Sequence, residues 1–175
     1  MEYYCIMVKT GEEEAFKKRA TLAMQDDFPD AKFFFFYHMR KSNRGEFYER
    51  PMFVGYVFLQ IEKLTPEFFS ILRKVEGFIR LLRDNSDPTK FAGSALDELK
   101  LFIRNGEHWG VAKVKFTPDQ KVRAISGFFE GLEGYVYRIN HKKKTITITT
   151  SLTMTSKRID VLYEEVEAVE EKSKS

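Results

Sequence analysis

The stretch Lys32 to Met39 (KFFFFYHM) sets four consecutive phenylalanines and a tyrosine in one short run. Successive side chains of a strand point to opposite faces. A run that is apolar at every position, rather than at alternate ones, therefore implies that both faces of the strand meet something: a helix on one side and a partner or neighbour on the other. The chain has the material for such a core, since 43% of its 175 residues are hydrophobic and 15% aromatic, while 10 Gly and 5 Pro are too few for a disordered or collagen-like chain. Its length allows one large domain or two small ones.

The flanking pattern extends the reading. Tyr3 to Val8 is an apolar run of strand length, and Thr10 with Glu13 has the spacing of a capping box, so a helix is expected to begin there. Phe16, Ala20, Ala23 and Met24 give that helix one apolar stripe before Pro29 stops it. Arg40 to Arg50 (RKSNRGEFYER) reads as a charged loop, and Met52 to Ile61 as the next strand. Thr65 followed by Pro66 is an N-cap with proline at the first helical position, ahead of Phe68, Ile71, Leu72 and Val75. Phe78 to Leu82 is a short strand and residues 83 to 93 a polar loop. Ser94 with Asp97 opens a third helix that ends at Gly106. The order is split β-α-β: an α+β domain over residues 1–106, with an antiparallel sheet and helices packed mainly on one face.

Residues 107–116 (EHWGVAKVKF) carry few structure signals and read as a linker. Residues 117–164 hold short β-rich runs punctuated by Gly127, Gly131, Gly134 and the turn Asn140 to Lys143, which predicts a small all-β, SH3-like barrel. Charge divides along similar lines. Residues 1–112 are neutral, residues 113–163 hold 10 Lys/Arg against 4 Asp/Glu, and the tail, taken as 165–175, is acidic. The basic unit is a candidate for a phosphate backbone; the alternative is a solvated surface.

No apolar run is long enough to span a bilayer, and the opening MEYYCIMVKTGEEE lacks the pattern of a signal peptide. With a lone Cys5 in an apolar run, the expectation is a soluble, cytoplasmic protein. No catalytic or metal-binding constellation is visible. His38, His108 and His141 lie in different segments without ligand-spaced partners, and Glu12, Glu13 and Glu14 read as first-turn charges. No enzyme activity, cofactor, metal or membrane partner is expected.

Tyr3-Tyr4 followed by Val8-Lys9-Thr10-Gly11-Glu12, then Phe53-Val54-Gly55-Tyr56-Val57-Phe58, then Gly77-Phe78, resembles the N-terminal domain of the NusG family of transcription elongation factors. Val122-Arg123 and Ser126 through Val136 (SGFFEGLEGYV) resemble the KOW motif that follows it. The two motif sets come in the right order and together cover nearly the whole chain. The resemblance implies a non-enzymatic monomer whose first domain binds the clamp coiled coil of the largest RNA polymerase subunits. Its KOW barrel would recruit a further partner: RNA, a ribosomal protein or Rho. By the resemblance, Phe53, Tyr56 and Phe58 match the docking strand and Met7 and Phe78 the rim of the docking patch; strand alternation pairs Tyr56 with Phe58 and sets Phe53 with Val57 on the opposite face. Each is alternatively a core residue.

Arg40, Lys41, Arg44 and Arg50, and in the barrel turn Lys142, Lys143 and Lys144, are the expected nucleic-acid contacts. The first group would face upstream or non-template DNA and the second nascent RNA. Departures from the family pattern are Val54 and Phe128 where proline is usual. Thr153, flanked by Leu152 and Met154, stands where an apolar side chain usually meets the ribosomal or Rho partner. With the long basic stretch, these departures point to a specialised antitermination paralogue of the RfaH or LoaP kind. The rival reading is a stand-alone KOW-type RNA-binding or ribosome-associated protein.

Overall fold

The computed structural model describes residues 1–83, 88–126 and 129–166. Gly127 and Phe128 of the second motif and residues 167–175 of the acidic tail lie outside the described residues. Twelve strands and three α-helices run along them in the order β1 (Glu2–Val8), α1 (Glu13–Met24), β2 (Lys32–Phe34), β3 (Tyr37–Lys41), β4 (Phe47–Pro51), β5 (Tyr56–Ile61), α2 (Pro66–Leu72), β6 (Phe78–Leu81), α3 (Gly93–Asn105), β7 (His108–Trp109), β8 (Ala112–Phe116), β9 (Val122–Ser126), β10 (Val136–Asn140), β11 (Thr145–Thr150) and β12 (Lys157–Glu165). A 3-10 turn, Glu133–Tyr135, precedes β10.

The first sheet has the order β2-β5-β1-β6, with β1 antiparallel to both β5 and β6. The phenylalanine run divides between its two faces. Phe33 and Phe35 enter one core, which packs Tyr4, Ile6, Val57 and Leu59 against Phe16, Ala20 and Met24 of α1 and Phe68 and Leu72 of α2. Phe36, with Phe34 beside it, enters a second core containing Cys5, Phe53, Phe58, Leu99, Phe102 and Trp109. Both faces are covered, as the uninterrupted apolar run requires, but the run is not one strand: β2 ends at Phe34 and β3 begins at Tyr37 in a separate sheet with β4 and β7. Helix α3 lies on the face opposite α1 and α2, so the helices are divided between the two faces.

Local chemistry explains the start of α2, whereas the expected Ser94–Asp97 box does not open α3, which begins at Gly93 after Ala92 with no side-chain cap. Thr65 caps α2 by accepting from the Phe68 N–H at 3.2 Å, with Pro66 in the first turn. At α1 the residue before the helix is Glu12, and Thr10 makes no cap; Glu13 instead sends its buried carboxylate back to the Gly11 N–H (3.0 Å) and across to the Gly55 N–H (2.8 Å). Gly55 sits at φ +86°, a conformation that only glycine adopts without strain, and its carbonyl accepts from Val8 at 2.9 Å. One glycine thus ties β1, α1 and the entry to β5 together.

Three segments depart from expectation. Arg40 to Arg50 is not a loop: β3 and β4 pair antiparallel from Tyr37↔Pro51 to Lys41↔Phe47, closed by a turn in which Ser42 and Glu46 bond and Gly45 takes φ +83°. Strand β4 is almost wholly exposed and β3 is buried only at His38, which is why the stretch carries no buried strand period in its sequence. Residues 107–116 hold β7, parallel to β3, and β8. They are pinned by Lys17–Glu107 (2.6 Å), by Phe35 N–H to Glu107 Oε1 (2.8 Å) and by the buried Trp109, whose indole donates to the Gly106 carbonyl at 2.7 Å.

The C-terminal strands form one five-stranded sheet in the order β10-β11-β12-β8-β9. Strand β8 enters it parallel to β12 and antiparallel to β9. Among the described residues no pairing joins β9 to β10, so the closed SH3-like barrel is not seen and the observed form is an open sheet. The alternating Thr145–Thr150 segment is its central β11, with Ile146 and Ile148 wholly buried.

Candidate functional site

On the α3 side of the first sheet, alternation sends Tyr3, Cys5 and Met7 of β1 and Tyr56 and Phe58 of β5 the same way. Met7 stands opposite Tyr56 on one side and Arg80 on the other, which makes a row across three strands. Tyr56 and Met7 are half-buried. Phe58 is 1% exposed and so is Phe53. Phe53 precedes the strand, separated from it by the Gly55 turn, so strand alternation does not govern it: its ring packs on Phe58 at 5.3 Å and on Phe102 at 5.7 Å, on the same face. Phe78 belongs to the other face, its ring 6.1 Å from Phe69 of α2. The structure therefore brings Met7, Phe53, Tyr56 and Phe58 to one face and sets Phe78 apart.

That face is roofed by α3, Trp109 and the C-terminal sheet. Val114, Val122, Ile146, Ile148, Leu152 and Ile159 join Phe53, Phe58 and Phe102 in one continuous core. Polar contacts pin the join. The His38 ring Nδ1 meets the Asp160 carbonyl at 2.7 Å, and Arg40 Nη1 reaches Asp160 Oδ2 at 3.2 Å. Thr147 donates to Asp160 Oδ1 at 2.5 Å, Arg104 of α3 donates to the Glu130 carbonyl at 2.6 Å, and Lys157 Nζ lies 5.7 Å from the centre of the Phe53 ring. Gly131, at φ +88°, lets α3 approach closely, since a Cβ there would stand 2.8 Å from Leu101.

Two buried ionisable groups sit in this join. His38 is held below the usual histidine range by burial, with the Arg40 and Arg50 charges adding to the effect and the Asp160 carbonyl opposing it. Glu98 of α3 is pushed above the usual carboxyl range by burial, against hydrogen bonds from Thr150 and the Ser151 backbone; its Oε1 has no partner. The sequence reading missed Asp160, His38, Glu98 and Trp109. Asp160 did leave a signal, as the one acidic residue between positions 134 and 163.

The basic residues surround the β3–β4 hairpin. Lys41 lies over Phe47 at 5.4 Å and shares a recess of about 300 Å³ with Lys142, Lys143 and Lys144, so two groups about a hundred residues apart in the chain converge. Arg44 is exposed at the hairpin turn. Arg40 and Arg50 face the other side, towards β12. At the turn after β11, Thr153 and Leu152 are buried, while Met154 is 56% exposed at φ +67°. The apolar side chain offered there is Met154.

No group of three or more His, Cys, Asp or Glu side chains that could hold a metal occurs among the described residues, and no helix there is long and apolar enough to cross a membrane. His108 instead stacks on Tyr37 and meets Glu49 at 2.9 Å, and His141 meets the Tyr163 hydroxyl at 3.2 Å.

Residues 1–100 match the family model described as NusG, transcription termination factor. Two relatives carry the description transcription termination/antitermination protein NusG: one from Xylella fastidiosa, 26% identical over 68% of this chain and 69% of its own, and one from Helicobacter pylori, 23% identical over 97% and 99%. A solved structure concerning domain interaction in Thermotoga maritima NusG shares the fold with a TM-score of 0.55 at 16% identity, covering 92% of this chain and 93% of that one.

Proposed function

The chain belongs to the NusG family of transcription factors, and from that premise we propose that it acts as a cytoplasmic elongation and antitermination factor on RNA polymerase. In this reading residues 1–106 dock on the clamp coiled coil of the largest polymerase subunits, and residues 117–164 recruit a further partner or RNA. No chemistry is performed on a substrate. Docking holds the clamp closed and disfavours pausing.

The observation that carries the reading is the row Tyr56, Met7, Arg80 beside the aromatic core of Phe53 and Phe58. A coiled-coil tip presents apolar side chains on an amphipathic surface, and a rigid aromatic patch with a cation at its edge suits it. In the packed arrangement Tyr56 and Met7 are the members of the proposed docking set on this face that stay partly open, while Phe78 is partly open on the other face. Phe53 and Phe58 become reachable when the C-terminal sheet or α3 moves, so polymerase and the sheet compete for one face.

The test is binding of the full chain to purified RNA polymerase, with Tyr56→Ala beside it. A loss of about 2 kcal/mol or more, the size of an interface hot spot, is expected. Tyr56 is the informative position, because truncating the buried Phe58 also opens a cavity. Absence of binding by the folded chain sinks the docking model. The recess shared by Lys41 and Lys142–Lys144 favours one second reading, an RNA-binding protein that works through its basic surface. In that case Tyr56→Ala leaves activity intact, and Gln at positions 142–144 removes it. In either reading the hairpin cations give sequence-independent phosphate contacts, and neutralising Arg40, Lys41, Arg44 and Arg50 flattens the salt dependence of nucleic-acid binding.

A further inference from the structure

Between the β3–β4 hairpin and β12 lies a recess of about 210 Å³. Arg40 and Arg50 line it from the hairpin, Lys157, Arg158 and Asp160 from β12, and His38 is buried at its base. Four basic residues thus line a recess with a single carboxylate, which is already occupied: Asp160 Oδ2 is taken by Arg40 and Oδ1 by Thr147. Among the described residues Arg50, Lys157 and Arg158 have no carboxylate partner.

The positions of two of these cations are defined by their surroundings. The Arg158 guanidinium lies 3.8 Å from the centre of the Tyr137 ring, a contact that leaves the N–H groups in its plane free to donate. Lys157 is half-buried, with its ammonium near the Phe53 ring. Burial, and after it the Arg50 charge, push the Lys157 ammonium below the usual lysine range.

We infer that this recess is a binding site for a phosphate group, which Arg50 on the hairpin and Lys157 and Arg158 on the C-terminal sheet grip from opposite sides. Phosphate suits the donor set because it offers several strong acceptor oxygens, which guanidinium groups engage two at a time while an ammonium supplies a point charge. A neutral ligand would leave the charges uncompensated. The ligand also crosslinks: Arg50 belongs to the first sheet's unit and Lys157 to the second, so occupancy stabilises their packed arrangement by mass action. The site stands independently of polymerase docking. The phosphate comes either free in solution or from a nucleic-acid backbone.

The experiment titrates the full chain with inorganic phosphate, pyrophosphate and a short single-stranded oligonucleotide, against chloride at matched ionic strength. Calorimetry reads affinity, and backbone amide NMR shifts of the unmodified chain read location. We expect shifts concentrated at positions 38–50 and 157–160. Affinity should fall about tenfold or more in Arg50→Gln and in Lys157→Met, the loss of one charge-assisted bond, and stay unchanged in the α1 variant Lys18→Gln. A response to phosphate or pyrophosphate identifies a free-anion site. A response to the oligonucleotide alone, lost in the same variants, identifies a backbone-phosphate site. Binding of any of the three with shifts confined to other regions, or no binding beyond that of chloride, overturns the assignment, and the NMR result on the unmodified chain holds whether or not the variants fold.

Discussion

Arg40 and Asp160 lie 120 positions apart in the chain, yet the guanidinium and carboxylate meet at 3.2 Å. Asp160 is the shared fixture of the join: its two side-chain oxygens serve Thr147 and Arg40, and its carbonyl serves His38. The Arg40 contact is about one-third exposed on each side, so alone it contributes at most about 1 kcal/mol. Arg40→Gln should therefore change stability little. Asp160→Ala also strands Thr147 and frees Arg40 beside three other cations, and a loss of about 1–3 kcal/mol is expected. Denaturant titration of both variants checks the order, with hydrogen exchange in β3 and β12 rising more in Asp160→Ala.

The same join responds to pH through His38. Burial lowers its folded value from the ordinary 6.5, aided by Arg40 and Arg50 and opposed by Asp160. Below pH 6.5 the unfolded chain therefore binds a proton that the folded chain refuses. Stability is complete above that pH and is lost as pH falls through 6.5 towards the depressed folded value. Thermal unfolding at pH 7.5 and 5.5 should show a loss of about 1 kcal/mol from this group, and His38→Gln should remove that part of the slope. An equal slope in the variant assigns the pH effect elsewhere.

The legible part of this fold is the part set by local pattern. The Phe33–Phe36 run announced two covered faces, and Thr65-Pro66 placed the start of α2 to the residue, although the helix ends at Leu72 rather than running on to Gly77. What escaped was decided by distant partners. Arg40–Arg50 reads as a loop because its residues are mostly charged and exposed, and only the pairing of β3 with β4 makes strands of them. Residues 107–116 look featureless because Trp109 and β8 are defined by what they pack on and pair with, not by their neighbours in sequence. Alternation misplaced Phe53 because the Gly55 turn interrupts the strand between it and Tyr56. For the candidate site, the family motif pointed to β5 and the aromatic face around it, but no local signal told that a second sheet roofs that face.

Glu98 makes a prediction of opposite sign. Its carboxyl is raised above the ordinary 4.5 mainly by burial, so the stability it contributes is complete below pH 4.5 and lost as pH rises through the folded value. At pH 7 an ionised carboxylate sits in the join with one oxygen unpaired. Glu98→Gln keeps an oxygen for Thr150 and Ser151 and removes the charge, and should stabilise the chain by about 1 kcal/mol at pH 7. The difference should vanish near pH 4. Stability curves for the two proteins at both pH values measure it.

Trp109 separates a connecting segment from a structural one. A tether between two independent units tolerates truncation of its side chains with little change in stability. Trp109 is instead 1% exposed, its ring centre 4.7 Å from that of Phe102, and its strand extends the β3–β4 hairpin. Trp109→Ala removes a large core side chain and should cost about 3–5 kcal/mol. Trp109→Phe, which keeps the aromatic packing but loses the bond to the Gly106 carbonyl, should cost about 1–2 kcal/mol. Because Phe102 also packs on Phe53, the Ala variant should loosen the α3 face of the first sheet as well. Hydrogen exchange at β5 and α3 should rise together, whereas a rise confined to the C-terminal sheet would return residues 107–116 to the role of a tether.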